Sequence, residues 1–210
     1  MELNNKQKVG QDEWFEYFKS EGHPLIRISK FRSGKVDMSL EDLSKQWVGW
    51  SEEQKLGFAS AFSVKHEITT ADERILDFLM SQGDERTILV LALCLTRHSD
   101  KERIVSFLGS RLLVGLEPKA NIIQALALLG NPLAVGPLQQ LLEVMQSQSK
   151  RDKWWKLDYV YTHWALVQLR AQPPAAFEEL MNNADSELRD TAIQLSKGPP
   201  PPSWDRPTSP

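Results

Sequence analysis

A single cysteine, Cys94, occurs among 210 residues, so no disulfide can form within the chain. It lies in the most apolar run, Ile88 to Leu95, where no charge or helix N-terminus is placed to stabilise a thiolate. A small buried apolar side chain is the reading that follows. That run is also too short for a membrane helix, and no other stretch approaches the roughly 18 apolar residues one needs. Met1 to Asp12 is polar and lacks the apolar centre of a signal peptide, which makes the cytoplasm the expected location. An excess of positive charge is missing as well. A formal net charge of −3 and a pI near 5.9 argue against the nucleic-acid backbone as main partner, because that interaction requires clustered cations.

The patterns of catalysis are equally scarce. His23, His66, His98 and His163 show neither an HExxH pattern nor a paired spacing that would build a metal site. No glycine-rich phosphate loop and no nucleophile elbow is present. The expectation is therefore no catalytic residue, no metal and no cofactor.

Helical periodicity is what the chain has. Ile122, Leu126 and Leu129, widened by Ile123 and Ala125, form one apolar stripe, and Ala134, Leu138, Leu141, Leu142 and Met145 form a second. Between them Gly130 suits a left-handed helix end, Asn131 a cap, and Pro132 a first helical position. This spacing predicts an antiparallel hairpin of the two helices. Similar stripes flank it: Ile75, Leu76 and Leu79 after a capping box Thr70 to Glu73; Ile104, Leu108 and Leu112 after Ser99 to Glu102; and Leu188, Ala192 and Leu195 after a turn at Asn182 to Asp185. Pro174 to Met181 reads as a short helix.

The runs LGNPLAVGPL (129–138) and DSELRDTA (185–192) resemble the two helices of the short HEAT-like repeat named after phycobilisome lyases. Asn131 stands where Asp is usual, and Asp185, Arg189 and Ala192 keep the second pattern. Asp84-Glu-Arg86 falls at a third repeat, with the Arg closer to the Asp than usual. The resemblance implies about four degenerate repeats and an all-α right-handed solenoid of antiparallel helix pairs over residues 70–197.

Residues 1–69 read as a helical N-terminal cap and a divergent first hairpin. Trp14, Phe15 and Phe18 share one face between Gln11 and Ser20, and a basic loop follows with Arg27, Lys30, Arg32 and Lys35. Next come a helix with Leu40, Leu43, Trp47 and Trp50 and, after the capping box Ser51 to Gln54, one with Leu56, Ala59, Phe62 and His66. Residues 198–210 hold half of the 12 prolines and are expected to be a disordered tail.

Lys150 to Arg170 is the stretch that simple packing explains least. Leu157, Tyr161, Trp164 and Ala165 make one stripe, while Trp155, Tyr159, Thr162, His163 and Leu166 make a second that is aromatic and polar at once. Two neighbouring helices could bury both stripes. Alternatively Trp155, Tyr159 and His163, with Lys153 and Lys156, form a binding surface of the residue types that dominate interaction hot spots.

The expected function is a non-enzymatic protein-binding module or scaffold, one concrete form being an acidic inhibitor or immunity partner of a basic protein. Two alternatives stand beside it. Some compact HEAT-like proteins are DNA glycosylases for alkylated bases with a tryptophan-rich helix and a carboxylate one turn away, which Trp154 and Asp158 resemble. A bilin-lyase-like role follows from the family name of the repeat alone.

Overall fold

Each helix begins where a side chain can take up the otherwise unpaired N–H groups of a first turn. In the computed structural model, which describes residues 38–65, 67–115, 118–148 and 154–199, the Ser39 hydroxyl accepts the Asp42 N–H at 3.1 Å and opens α1 (Leu40–Trp47). Ser51 and Gln54 form the expected reciprocal box before α2 (Glu52–Ser63). Then come α3 (Thr70–Gln82), α4 (Glu85–Leu95) capped by Asp84, and α5 (Lys101–Arg111). They are followed by α6 (Ala120–Leu129), a 3-10 turn (Pro132–Ala134) running into α7 (Val135–Ser147), α8 (Trp155–Gln168), α9 (Pro174–Met181) and α10 (Ser186–Ser196). The described residues contain ten helices and no strand, an all-α chain. The aromatic segment 11–20, the basic loop 27–35, His23, His66, Lys153 and the tail from 200 onward lie outside the described residues.

Two caps sit one residue from their expected places, for the same physical reason. Thr69 rather than Thr70 opens α3: its hydroxyl accepts the Asp72 N–H at 3.3 Å, and Asp72 accepts the Thr69 N–H at 3.0 Å. The other Asp72 oxygen takes the Lys65 ammonium at 2.6 Å. Burial alone would raise the Asp72 pKa, but the bonds from Lys65 and Thr69 outweigh it and hold it below the usual value. Glu73 is thereby released to accept the Ser99 N–H at 2.7 Å and the Ser99 hydroxyl at 3.0 Å. With Ser99 so engaged, Asp100 caps α5 by accepting the Arg103 N–H at 3.1 Å.

The turn between α6 and α7 is as expected. Gly130 is left-handed at φ 62°, Asn131 accepts the Leu133 N–H at 2.9 Å, and Pro132 occupies the first position of the 3-10 turn. The pairing is not. The main partners of α6 are α4, α5 and α8, and those of α7 are α5 and α8, so the two helices joined by Gly130 pack on other neighbours more than on each other. Among consecutive helices the main packing is of α3 with α4, α5 with α6, α7 with α8 and α9 with α10.

The second helix of each of these pairs packs on the second helix of the next, α4 on α6, α6 on α8 and α8 on α10, and α2 packs on α4 in the same way. One hydrophobic core runs from Leu43 to Leu195, unbroken at residue 69. Polar contacts between first turns show the direction of these helices. Glu52 of α2 faces Arg86 of α4 at 4.0 Å, and Glu85 of α4 pairs with Lys119 at the start of α6. The Lys119 N–H is taken by Asp158 of α8, and Lys156 of α8 meets Asp185 at 2.9 Å and Glu187 at 2.8 Å at the start of α10. The N-terminal ends of α2, α4, α6, α8 and α10 therefore lie along one edge. The exposed pairs in this ladder contribute little stability and report geometry.

Arg170, just past α8, is the one non-glycine residue with positive φ among those described, at 57°. The left-handed conformation lets the Ala171 and Gln172 N–H groups reach the Leu166 carbonyl, at 2.8 and 3.2 Å, and turns the chain toward α9. An L side chain is strained there. Arg170→Gly is expected to raise the free energy of unfolding by about 0.5–1 kcal/mol in urea denaturation, and a destabilised variant would mean that the Arg170 side chain does more than tolerate its place.

Candidate functional site

Apolar residues fall all round α8, so one face cannot bury them and the helix must be surrounded. It packs on α6, α7, α9 and α10, and of its aromatic residues only Tyr159 remains half-buried rather than buried. Both stripes are thus in contact with neighbouring helices. On one side Trp155 stacks on Tyr159 with centroids 4.7 Å apart and planes at 13°, and Tyr159 meets the ring of His163 at 4.7 Å and 68°. The Trp155 indole N–H donates to the Met145 carbonyl at 2.9 Å, satisfying a C-terminal carbonyl of α7. On the opposite side Tyr161 and Trp164 pack at 6.3 Å, and burial, helped by the Asp158 charge, pushes the Tyr161 phenol up to about 12.

The structure gathers Trp155, Tyr159 and His163 into one stack but sets Lys156 on another side of the helix. The hydrogen bonds that Lys156 donates to Glu187 and Asp185 raise its pKa, and the Asp185 carboxyl is held below its usual range by Lys156 and by the Leu188 N–H. Asp185 also caps α10, and Arg189 donates to the Asn183 carbonyl at 3.2 Å, so the residues of the second repeat-like run staple a turn. His163 is 9% exposed. Its Nδ1 stands 2.9 Å from the Gln172 Oε1, its Nε2 has no hydrogen-bond partner, and burial holds its pKa below the ordinary value.

No family model, no curated protein and no solved structure matches this chain.

Asp158 is the residue whose role the sequence spacing concealed. It is 7% exposed, and its two oxygens lie 2.9 and 3.0 Å from the backbone nitrogen of Lys119. Lys119 opens α6 with no side-chain cap of its own, so a carboxylate from 39 positions away performs the capping. The Trp154–Asp158 spacing leads to the expectation of a glycosylase-like carboxylate, and in the structure this carboxylate faces a helix end in the interior. Asp158→Ala should leave a buried N–H without an acceptor and cost about 1–3 kcal/mol, read by urea denaturation. An unchanged midpoint would show that the cap carries no weight.

Cys94 is fully buried, as expected, and desolvation raises its thiol pKa, only partly offset by Arg97, whose Nη2 lies 3.1 Å from Sγ. Among the described residues no group of three His, Cys, Asp or Glu side chains could hold a metal, and no helix is long and apolar enough to cross a membrane. An open depression of about 480 Å³ lies between α1 and α3, lined by Leu40, Ser44, Arg74, Asp77, Phe78 and Ser81.

Proposed function

We propose that this chain is a non-enzymatic protein-binding module: a right-handed solenoid of short HEAT-like helix pairs whose outer surface meets a protein partner. The observation that carries the reading is the succession of helix pairs, in which α2 packs on α4, α4 on α6, α6 on α8 and α8 on α10. In a solenoid each repeat contacts only its neighbours and the stack presents an extended surface. Asp185 and Arg189, which the repeat resemblance singles out, serve as cap and turn staple here, and this supports the same reading. The engagement of Asp158 at Lys119 weighs against the glycosylase alternative.

Because Trp155 and His163 are buried in packing, the contact surface is better sought among exposed apolar side chains. Leu128 and Leu133 flank the Gly130 turn and are 49% and 55% exposed. Leu128→Glu with Leu133→Glu should keep the circular dichroism and melting temperature of the parent while losing a partner that the parent retains from native extract. A partner retained equally by both proteins would move the surface elsewhere. Excision of an alkylated base from duplex DNA by the parent would overturn the non-enzymatic reading.

A further inference from the structure

We propose that His163 is an acid-sensitive latch that holds the last helix pair, α9 and α10, on α8. The inference is independent of the binding role. Apart from their contact with each other, the principal packing of α9 and α10 is on α8, so this helix is their main support. The chain enters α9 through the turn after Gln168, where Ala171 and Gln172 both donate to the Leu166 carbonyl. His163 fastens that turn from inside: its Nδ1 lies 2.9 Å from the Gln172 Oε1, which makes Nδ1 the protonated nitrogen of the neutral ring.

Protonation would place the second proton on Nε2, which is buried and has no acceptor. A charged donor left without a partner in the interior favours the opened state, in which water reaches it. The surroundings do not rescue the charge. Tyr159 meets the ring from the same helix, and Glu179 of α9 is the charged group that acts on it among the described residues, none from α6, α7 or α10 doing so. Burial opposes charging most strongly, and it outweighs both the bond to Gln172 and the attraction of Glu179, which favour the charged ring.

The sign follows from linkage. A histidine whose pKa is lower folded than unfolded contributes stability that is present above about pH 6.5 and is lost as pH falls toward the folded value. One such proton raises the population of the open state by at most about tenfold per pH unit.

Native-state hydrogen exchange on the full chain at pH 7.5 and 5.5, expressed as protection factors, tests the latch. The expected result is a several-fold loss of protection in α9 and α10 at the lower pH, with α4 and α6 unchanged. His163→Asn keeps a donor for Gln172 but cannot titrate, and should abolish the difference. Equal loss in all helices, no loss at all, or persistence of the difference in His163→Asn would overturn the proposal. Should that variant fail to fold, the NMR titration of His163 in the parent decides: a midpoint below 6.5 that coincides with loosening of α9 and α10 supports the latch, and a midpoint at or above 6.5 overturns it.

Discussion

Trp155→Ala is expected to lower the free energy of unfolding by about 3–5 kcal/mol. The indole is 5% exposed, stacks on Tyr159 and donates its N–H to the Met145 carbonyl, so truncation removes a large apolar volume and orphans a carbonyl at the end of α7. The cavity cannot close readily, because α8 is held by four other helices. Tyr159→Ala should cost less, since Tyr159 is only half-buried. Urea denaturation monitored by circular dichroism measures both. A change below about 1 kcal/mol for Trp155→Ala would return that residue to the surface and to the role of a binding hot spot.

Leu126→Ala and Leu138→Ala should each cost about 2–5 kcal/mol, because both side chains are fully buried. Their combination discriminates between two architectures. Were α6 and α7 a hairpin closed on itself, the two leucines would line one core and the double variant would depart from additivity by more than about 1 kcal/mol. With α6 packing mainly on α4, α5 and α8, and α7 on α5 and α8, the effects should add to within about 0.5 kcal/mol.

Helices were legible wherever the signal is local. The Ser51 to Gln54 box, the Gly130-Asn131-Pro132 turn and the start of α9 at Pro174 all stand where the spacing put them. Local signals failed where two neighbours offered the same chemistry. Thr69 to Asp72 and Thr70 to Glu73 are equally good capping boxes as sequence, and the choice fell to Lys65 and Ser99, whose contacts with Asp72 and Glu73 form only in the fold. The partnership of α6 was not legible for a related reason: a turn shows that two helices are consecutive, but which helix fills a groove depends on the whole stack. For α8 the signal was available, since apolar residues on every side of a helix indicate burial all round. Trp155, Tyr159 and His163 share a face as the spacing required, although their stacking against α7 and the turn before α9 had no counterpart in the sequence. The role of Asp158 was not available at all, because nothing near it indicates a helix end 39 residues earlier.

The proposed binding role depends on the helix pairs forming an open row, and one distance tests that most directly. Glu52 and Glu187 begin the first and last members of the set α2, α4, α6, α8 and α10, and their side chains are 76% and 62% exposed, while Cys94 is buried and closed to a labelling reagent. Spin labels at Glu52→Cys and Glu187→Cys should lie about 30–40 Å apart by double electron–electron resonance, the span of four helix spacings of about 8–10 Å each. A distance below about 20 Å would place α2 beside α10, close the row into a bundle, and contradict the solenoid and the extended surface built on it.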